Sequence, residues 1–157
     1  MFRKILFPID FSETAFKALE YIKHMKKTDS EEVILLHVIH RRVIETIAKF
    51  EVGRYEVSKK ESLAEAEKRI EIERIERLQP IVDELEKLGF KVKARVEKGV
   101  PIKSILAVEK EEQVSVTVIG SHGKENLTEL FMGSVSEGVI RRSKNPVLVV
   151  KRDSKVT

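Results

Sequence analysis

The chain contains no cysteine and no tryptophan. Without cysteine, a disulfide framework, a zinc-thiolate centre and a thiol nucleophile are all excluded. Long apolar runs are also missing. Residues 1–10 meet a charge too early for a signal peptide, and no stretch approaches membrane-spanning length. The expectation is a cytoplasmic protein with no membrane partner. Glycine and proline are scarce, at 7 and 4 residues. No low-complexity linker or internal repeat is seen, so residues 1–157 are expected to form one domain. Amide side chains are confined to Gln79, Gln113, Asn126 and Asn145, while Lys and Glu abound, a bias shared with heat-adapted proteins. A strong charge of one sign is lacking too. The 30 basic residues are interspersed with 26 acidic ones, for a net charge of +4. Such mixing describes solvated, ion-paired helix faces, and no platform of basic and aromatic residues appears. Nucleic acid is therefore not an expected partner.

What is present is an alternation of two periodicities. Apolar, β-branched runs at 4–9, 33–38, 114–119 and 147–150 suit buried strands, and 91–96 alternates as a strand with one wetter face or at an edge. Helical patterns lie between them. Ser12 is placed to cap a helix carrying Ala15, Leu19 and Ile22. Leu63, Ile70, Leu78, Val82, Leu85 and Leu88 mark a long helix ending at Gly89, with a kink or break expected near Gln79 because Pro80 lies inside it. Its spacing keeps no strict heptad, so packing on the sheet is expected rather than a coiled coil. Pro101 opens a third helix burying Ile102, Ile105 and Leu106, and a fourth runs from about Ser134 to Ser143. Residues 41–60 fit a variable loop or short helix, with one or two helical turns over 43–50. The pattern predicts an α/β fold: an open, five-stranded parallel sheet with helices on both faces.

The informative segment is Gly120–Ser136. It starts where the fourth strand ends and stops where a helix begins. Glycines let a backbone approach a ligand, and amides at a helix start form an anion site. Ser134 and Ser136 add hydroxyls. In the strand order 3-2-1-4-5, the direction of winding reverses between strands one and four, where ligands bind in such sheets. Asp10 and Gly120–Gly123 would border that crevice. Asp10 is suited to a ribose, to organising a phosphate-bound metal, or simply to capping a helix. The glycines are equally compatible with a tight turn and no ligand. The segment is neither GxxxxGK[ST] nor GxGxxG. His122 and Lys124 are each either phosphate partners or ordinary loop residues. His37 and His40 point to opposite sides of an extended chain, so no metal site is expected there. Ser12 has no histidine motif beside it and reads as a cap, not a nucleophile.

At these residues the sequence resembles the universal stress protein family. Gly120, Gly123, Gly133 and Ser134 meet the spacing G-x2-G-x9-G-[S/T] of its nucleotide-binding members. Phe7-Pro8-Ile9-Asp10-Phe11-Ser12 is similar to the family's first strand and Asp loop, and 138–150 to its last helix and strand. The Gly99-Val100-Pro101 turn fits as well. The resemblance implies a Rossmann-like fold of the adenine nucleotide alpha hydrolase type, with order 3-2-1-4-5. It implies bound ATP, with any Mg or Mn held through the phosphates. Ile9, Asp10 and Val38 would flank adenine and ribose, and Gly120, His122, Gly123, Gly133, Ser134, Val135 and Ser136 would hold ribose and phosphates. No residue is assigned as catalytic or as a metal ligand. The function implied is a nucleotide-dependent regulator or sensor in stress response. The alternatives are a slow ATPase or a nucleotide-independent dimeric interaction module. A homodimer through the last strand, Pro146–Lys151, is expected, because that strand is a short apolar sheet edge.

Overall fold

The computed structural model describes residues 1–46, 63–123 and 132–153. Its strands are β1 (Lys4–Pro8), β2 (Glu32–His40), β3 (Lys91–Gly99), β4 (Val116–Gly120) and β5 (Val147–Val150). All pair in parallel, in the order β3-β2-β1-β4-β5. The helices are α1 (Glu13–Met25), α2 (41–46), α3 (Leu63–Lys87), α4 (Pro101–Glu112) and α5 (Ser134–Arg142). A short 3-10 turn, Lys26–Thr28, follows α1. Residues 47–62, 124–131 and 154–157 lie outside the described residues, so the helical turns expected over 43–50 are seen only to residue 46.

The two-residue period of the strands sorts their side chains into two cores. Ile5, Phe7, Val33, Leu35, Val116 and Val118 face α1 and α3, where Ala15, Leu19, Ile22, Leu78 and Leu85 meet them. Leu6, Ile34, Leu36 and Ile119 face the other way, onto Ile105 and Val108 of α4 and Val139 of α5. Both faces of the sheet are covered, which is why its central strands carry unbroken apolar runs.

Helix ends follow local chemistry. The Ser12 Oγ accepts from the Ala15 amide at 3.3 Å and caps α1. Gly89, at φ 88°, supplies the left-handed turn after α3. Pro101 opens α4 as expected, but only Ile105 of the expected trio is buried; Ile102 and Leu106 are half-buried. Leu88 is likewise exposed, outside the stripe expected for α3. Of the kink or break expected near Gln79, the break is corrected: α3 runs without interruption through Pro80. Pro80 and Glu76 both lie on the exposed face, so the Glu76 carbonyl that loses its amide partner is turned to solvent.

The edge strand β3 is tied to α4 by charge. Arg95 donates to Glu97 (2.6 and 3.1 Å), to Glu111 (2.9 Å) and to Glu112 (2.9 Å). Lys93 reaches Glu112 at 2.6 Å and Lys4 of β1 reaches it at 3.5 Å. The Lys93 hydrogen bond, opposed by partial burial and aided by Arg95, holds the Glu112 carboxyl below its ordinary value of 4.5.

A carboxylate with a lowered folded pKa stabilises the fold above its unfolded value, and that contribution fades as pH falls through the folded one. Urea unfolding should therefore lose stability as the pH drops below 4.5. Glu112→Gln should start less stable at neutral pH and show a shallower acid slope.

Candidate functional site

The reversal of winding between β1 and β4 opens a cleft at the C-terminal ends of the strands, with a volume of about 500 Å³. The walls are unequal in height. β1 ends at Pro8, opposite Leu36, whereas β2 continues four residues further to His40, paired with Gly99 of β3. At about 3.3 Å per residue this raises a wall of roughly 13 Å on one side. Leu36, Val38, His40 and the following Arg42 line it, and Pro101 and Ile105 of α4 add apolar surface. On the opposite side lie Ile119, Gly120, His122 and Gly123 after β4, with Gly133, Ser134, Val135 and Ser136 at the start of α5. Pro8, Ile9 and Asp10 lie between them.

Asp10 is held by a local turn. Its Oδ1 accepts the Ser12 amide at 2.9 Å. Its Oδ2 lies where a Cβ on Gly123 would come within 2.9 Å, so a larger residue at 123 would push the carboxylate aside. Gly133 is restricted in the same way, since a Cβ there would sit 3.2 Å from the Ser121 carbonyl oxygen. Gly120 has no room at all: a Cβ would meet Thr14 Oγ1 at 2.6 Å and the Thr14 backbone at 2.9 Å. Thr14 and Ser12 both donate to the His122 carbonyl, the latter at 3.4 Å. The start of α1 is thereby fastened to the loop after β4.

Gly133 caps α5, and the first intrahelical bond is Glu137 N–H to Gly133 O at 3.0 Å. The amides of Ser134, Val135 and Ser136 thus precede any intrahelical acceptor. They carry the positive end of the α5 dipole at the cleft. Two expectations need correction. The Gly133 amide is not open to a ligand, because it donates to the Ser121 carbonyl at 2.8 Å. The Ser136 hydroxyl is also committed internally: it is buried and donates to the Gly120 carbonyl at 2.7 Å, docking α5 on the end of β4. Ser134, by contrast, is exposed.

His122 is not a solvated loop residue. It is 7% exposed, its Nδ1 pairs with the Ser121 hydroxyl at 2.7 Å, and its Nε2 is buried with no partner. A buried, unsatisfied ring nitrogen in the lining of a cleft is costly unless a ligand completes it. Lys124 lies outside the described residues. His37 bonds the Ile9 carbonyl through Nδ1 at 2.8 Å and is not in the lining, whereas His40 is. Among the described residues no cluster of three His, Asp or Glu could hold a metal ion. No described helix is long and apolar enough to cross a membrane.

His40 and Arg42 were not singled out as site residues from the sequence. Their signal was the strand reading itself: the run at 33–38 hid the overhang of β2 that brings them to the cleft. The His40 Nδ1 accepts the Arg42 amide at 3.1 Å, which puts the proton of the neutral ring on Nε2. Arg42 is the only arginine or lysine among the described lining residues.

Comparison with known proteins adds to this geometry. Residues 1–151 match the model of the Universal stress protein family. The chain is 44% identical to the universal stress protein MJ0577 of Methanocaldococcus jannaschii over 156 residues, covering 97% of this chain and 96% of that protein. A solved structure of MJ0577 aligns with a TM-score of 0.83 at 42% identity over 99% of both chains. Two more distant structures share the fold at 17% identity. One is an Arabidopsis thaliana family protein with AMP bound, TM-score 0.62, covering 98% of this chain and 94% of that one. The other is a universal stress protein in complex with cAMP, TM-score 0.61, covering 96% and 97%.

The Ser136 hydroxyl is a structural tie, so Ser136→Ala should cost about 1–2 kcal/mol by stranding the buried Gly120 carbonyl. Chemical denaturation checks it. An unchanged unfolding free energy would mean that the bond contributes nothing.

Proposed function

Because the chain belongs to the universal stress protein family, we propose that it binds ATP in this cleft and acts as a nucleotide-dependent regulator or sensor. The observation that carries the reading is the opening of α5 onto the cleft: three leading amides on the same side as Gly123, a glycine that itself lies close against the Asp10 carboxylate. Such an arrangement suits a polyphosphate, because backbone amides and a helix dipole offer positive charge without a side chain in the way. The apolar wall of Leu36, Val38, Pro101 and Ile105 suits a purine. The buried Nε2 of His122 gains a partner when a ligand oxygen arrives. The AMP and cAMP held by the two distant relatives are adenine nucleotides of the same kind.

In this reading Ile9, Asp10 and Val38 flank the adenine and ribose. Gly120, His122, Gly123, Gly133, Ser134 and Val135 surround the ribose and phosphates, Gly120 and Gly133 through their shape. Ser136 contributes its amide, since its hydroxyl is occupied. Mg or Mn would travel on the phosphates, with Asp10 the only carboxylate among the described lining residues. Phosphoryl transfer asks for a positioned nucleophile, metal ligands and charge stabilisation together. With one carboxylate and one arginine in the described lining, hydrolysis is slow at most.

The proposed homodimer uses β5, an edge strand whose Leu148 is 41% exposed. The proposed setting is the cytoplasm.

Calorimetry with ATP tests the site. Gly123→Val drives a side chain into Asp10 and should weaken binding at least about tenfold, while the fold persists. Ser134→Ala should weaken it roughly fivefold, the value of one hydrogen bond. Equal affinity of both variants with the parent protein would overturn the reading, and ADP release at tens of turnovers per second would overturn the regulator in favour of an enzyme. Light scattering should give twice the chain mass, and Leu148→Lys should shift it toward the monomer. A parent protein that stays monomeric at high concentration would remove the dimer.

A further inference from the structure

Asp10 is followed by a residue in an unusual conformation. Phe11 has φ 61°, in the left-handed region that a bulky side chain rarely enters. Most residues at such a position would be glycine, asparagine or aspartate. A strained backbone persists only where its surroundings over-determine it. Here the surroundings are specific. The Phe11 ring lies 5.0 Å from the His37 ring, tilted by 45°. The Arg77 guanidinium of α3 stands 4.0 Å from the Phe11 ring centroid. His37 is itself fixed, because its Nδ1–H donates to the Ile9 carbonyl at 2.8 Å, two residues before Phe11. Next along the chain, the Ser12 amide is the one that bonds Asp10 Oδ1.

We infer that Phe11 is a positioning residue for the cleft. Its ring contacts with His37 and Arg77 hold the backbone in the left-handed turn, and that turn aims the Asp10 carboxylate across to Gly123. None of Phe11, His37 and Arg77 is among the described residues that line the cleft, and Arg77 sits on an exposed turn of α3. They act through Asp10. The arrangement also gives α3 a line to the nucleotide: whatever moves Arg77 off the ring loosens the loop that carries Asp10. The inference about affinity rests on the nucleotide reading above; the inference about the loop does not.

Two measurements separate them. The first is amide hydrogen exchange at Ser12, read by NMR without ligand. The second is ATP affinity by calorimetry. Phe11→Leu keeps apolar bulk but removes the flat ring; Arg77→Gln removes the cation from an exposed helix position where folding is not at risk. Phe11→Tyr keeps the ring and serves as the rescue. Faster Ser12 exchange in Phe11→Leu and Arg77→Gln, with protection retained in Phe11→Tyr, is expected. ATP affinity should fall about tenfold in Phe11→Leu and about two- to fivefold in Arg77→Gln, and stay near the parent value in Phe11→Tyr. A purely structural role for the ring would lower the melting temperature of Phe11→Leu and leave Ser12 exchange and affinity unmoved, which overturns the inference. If the parent protein binds no ATP, the nucleotide reading falls, and Ser12 exchange alone still decides whether Phe11 sets the loop.

Discussion

The whole C-terminal end of the sheet depends on how closely α1 approaches the end of β4. Gly120 has no side chain because Thr14 occupies that volume, and the Thr14 and Ser12 hydroxyls turn to the His122 carbonyl. That contact joins the first crossover of the fold to the fourth strand, over 108 residues of sequence separation. From it the rest follows in order. The loop after β1 is brought against the loop after β4, Asp10 meets Gly123, and Ser136 hooks α5 onto the Gly120 carbonyl. A cluster of buried hydrogen bonds around Ser12, Thr14, His122 and Ser136 therefore sits at the point where the chain reverses its winding. Because each of those groups is buried, losing one partner strands another.

This dense bonding limits which groups the proposed anion site can use. Among the described residues of the glycine segment, only some polar groups are open. The Gly133 amide and the Ser136 hydroxyl build the rim, and the leading amides of α5 with exposed Ser134 face outward. Among the described rim groups, those already paired would cost little further ordering in the proposed binding. The unsatisfied Nε2 of His122 is the exception within an otherwise paired cluster.

Much of this architecture was legible from residue patterns. Continuous apolar runs marked four strands, alternation in β3 marked the edge, and Ser12, Gly89 and Pro101 marked helix ends, because each signal is local and has a single physical cause. The spacing of Gly120, Gly123, Gly133 and Ser134 likewise located the cleft. What escaped was set by tertiary geometry. Pro80 signalled a break, but solvent beside an exposed helix face tolerates a missing amide. Ser136 looked like a ligand donor until its carbonyl partner, 16 residues earlier, was in view. His40 and Arg42 depend on how far β2 outruns β1, a length that no periodicity encodes. The strain at Phe11 is invisible in sequence, where phenylalanine after aspartate suggests nothing unusual.

The ion pairs of Lys4, Glu32, Lys93 and Glu112 lie toward the opposite end of the sheet from the cleft, where the strands start. None of these ion-paired side chains is among the described residues that line the cleft. Contributions from sites this far apart combine almost additively. The molecule thus has a division of labour along its strands. Charge exchanges at the bottom can adapt endurance to heat, salt or acidity without reshaping the cleft at the top. A lineage moving between environments can rewrite one end and inherit the other intact.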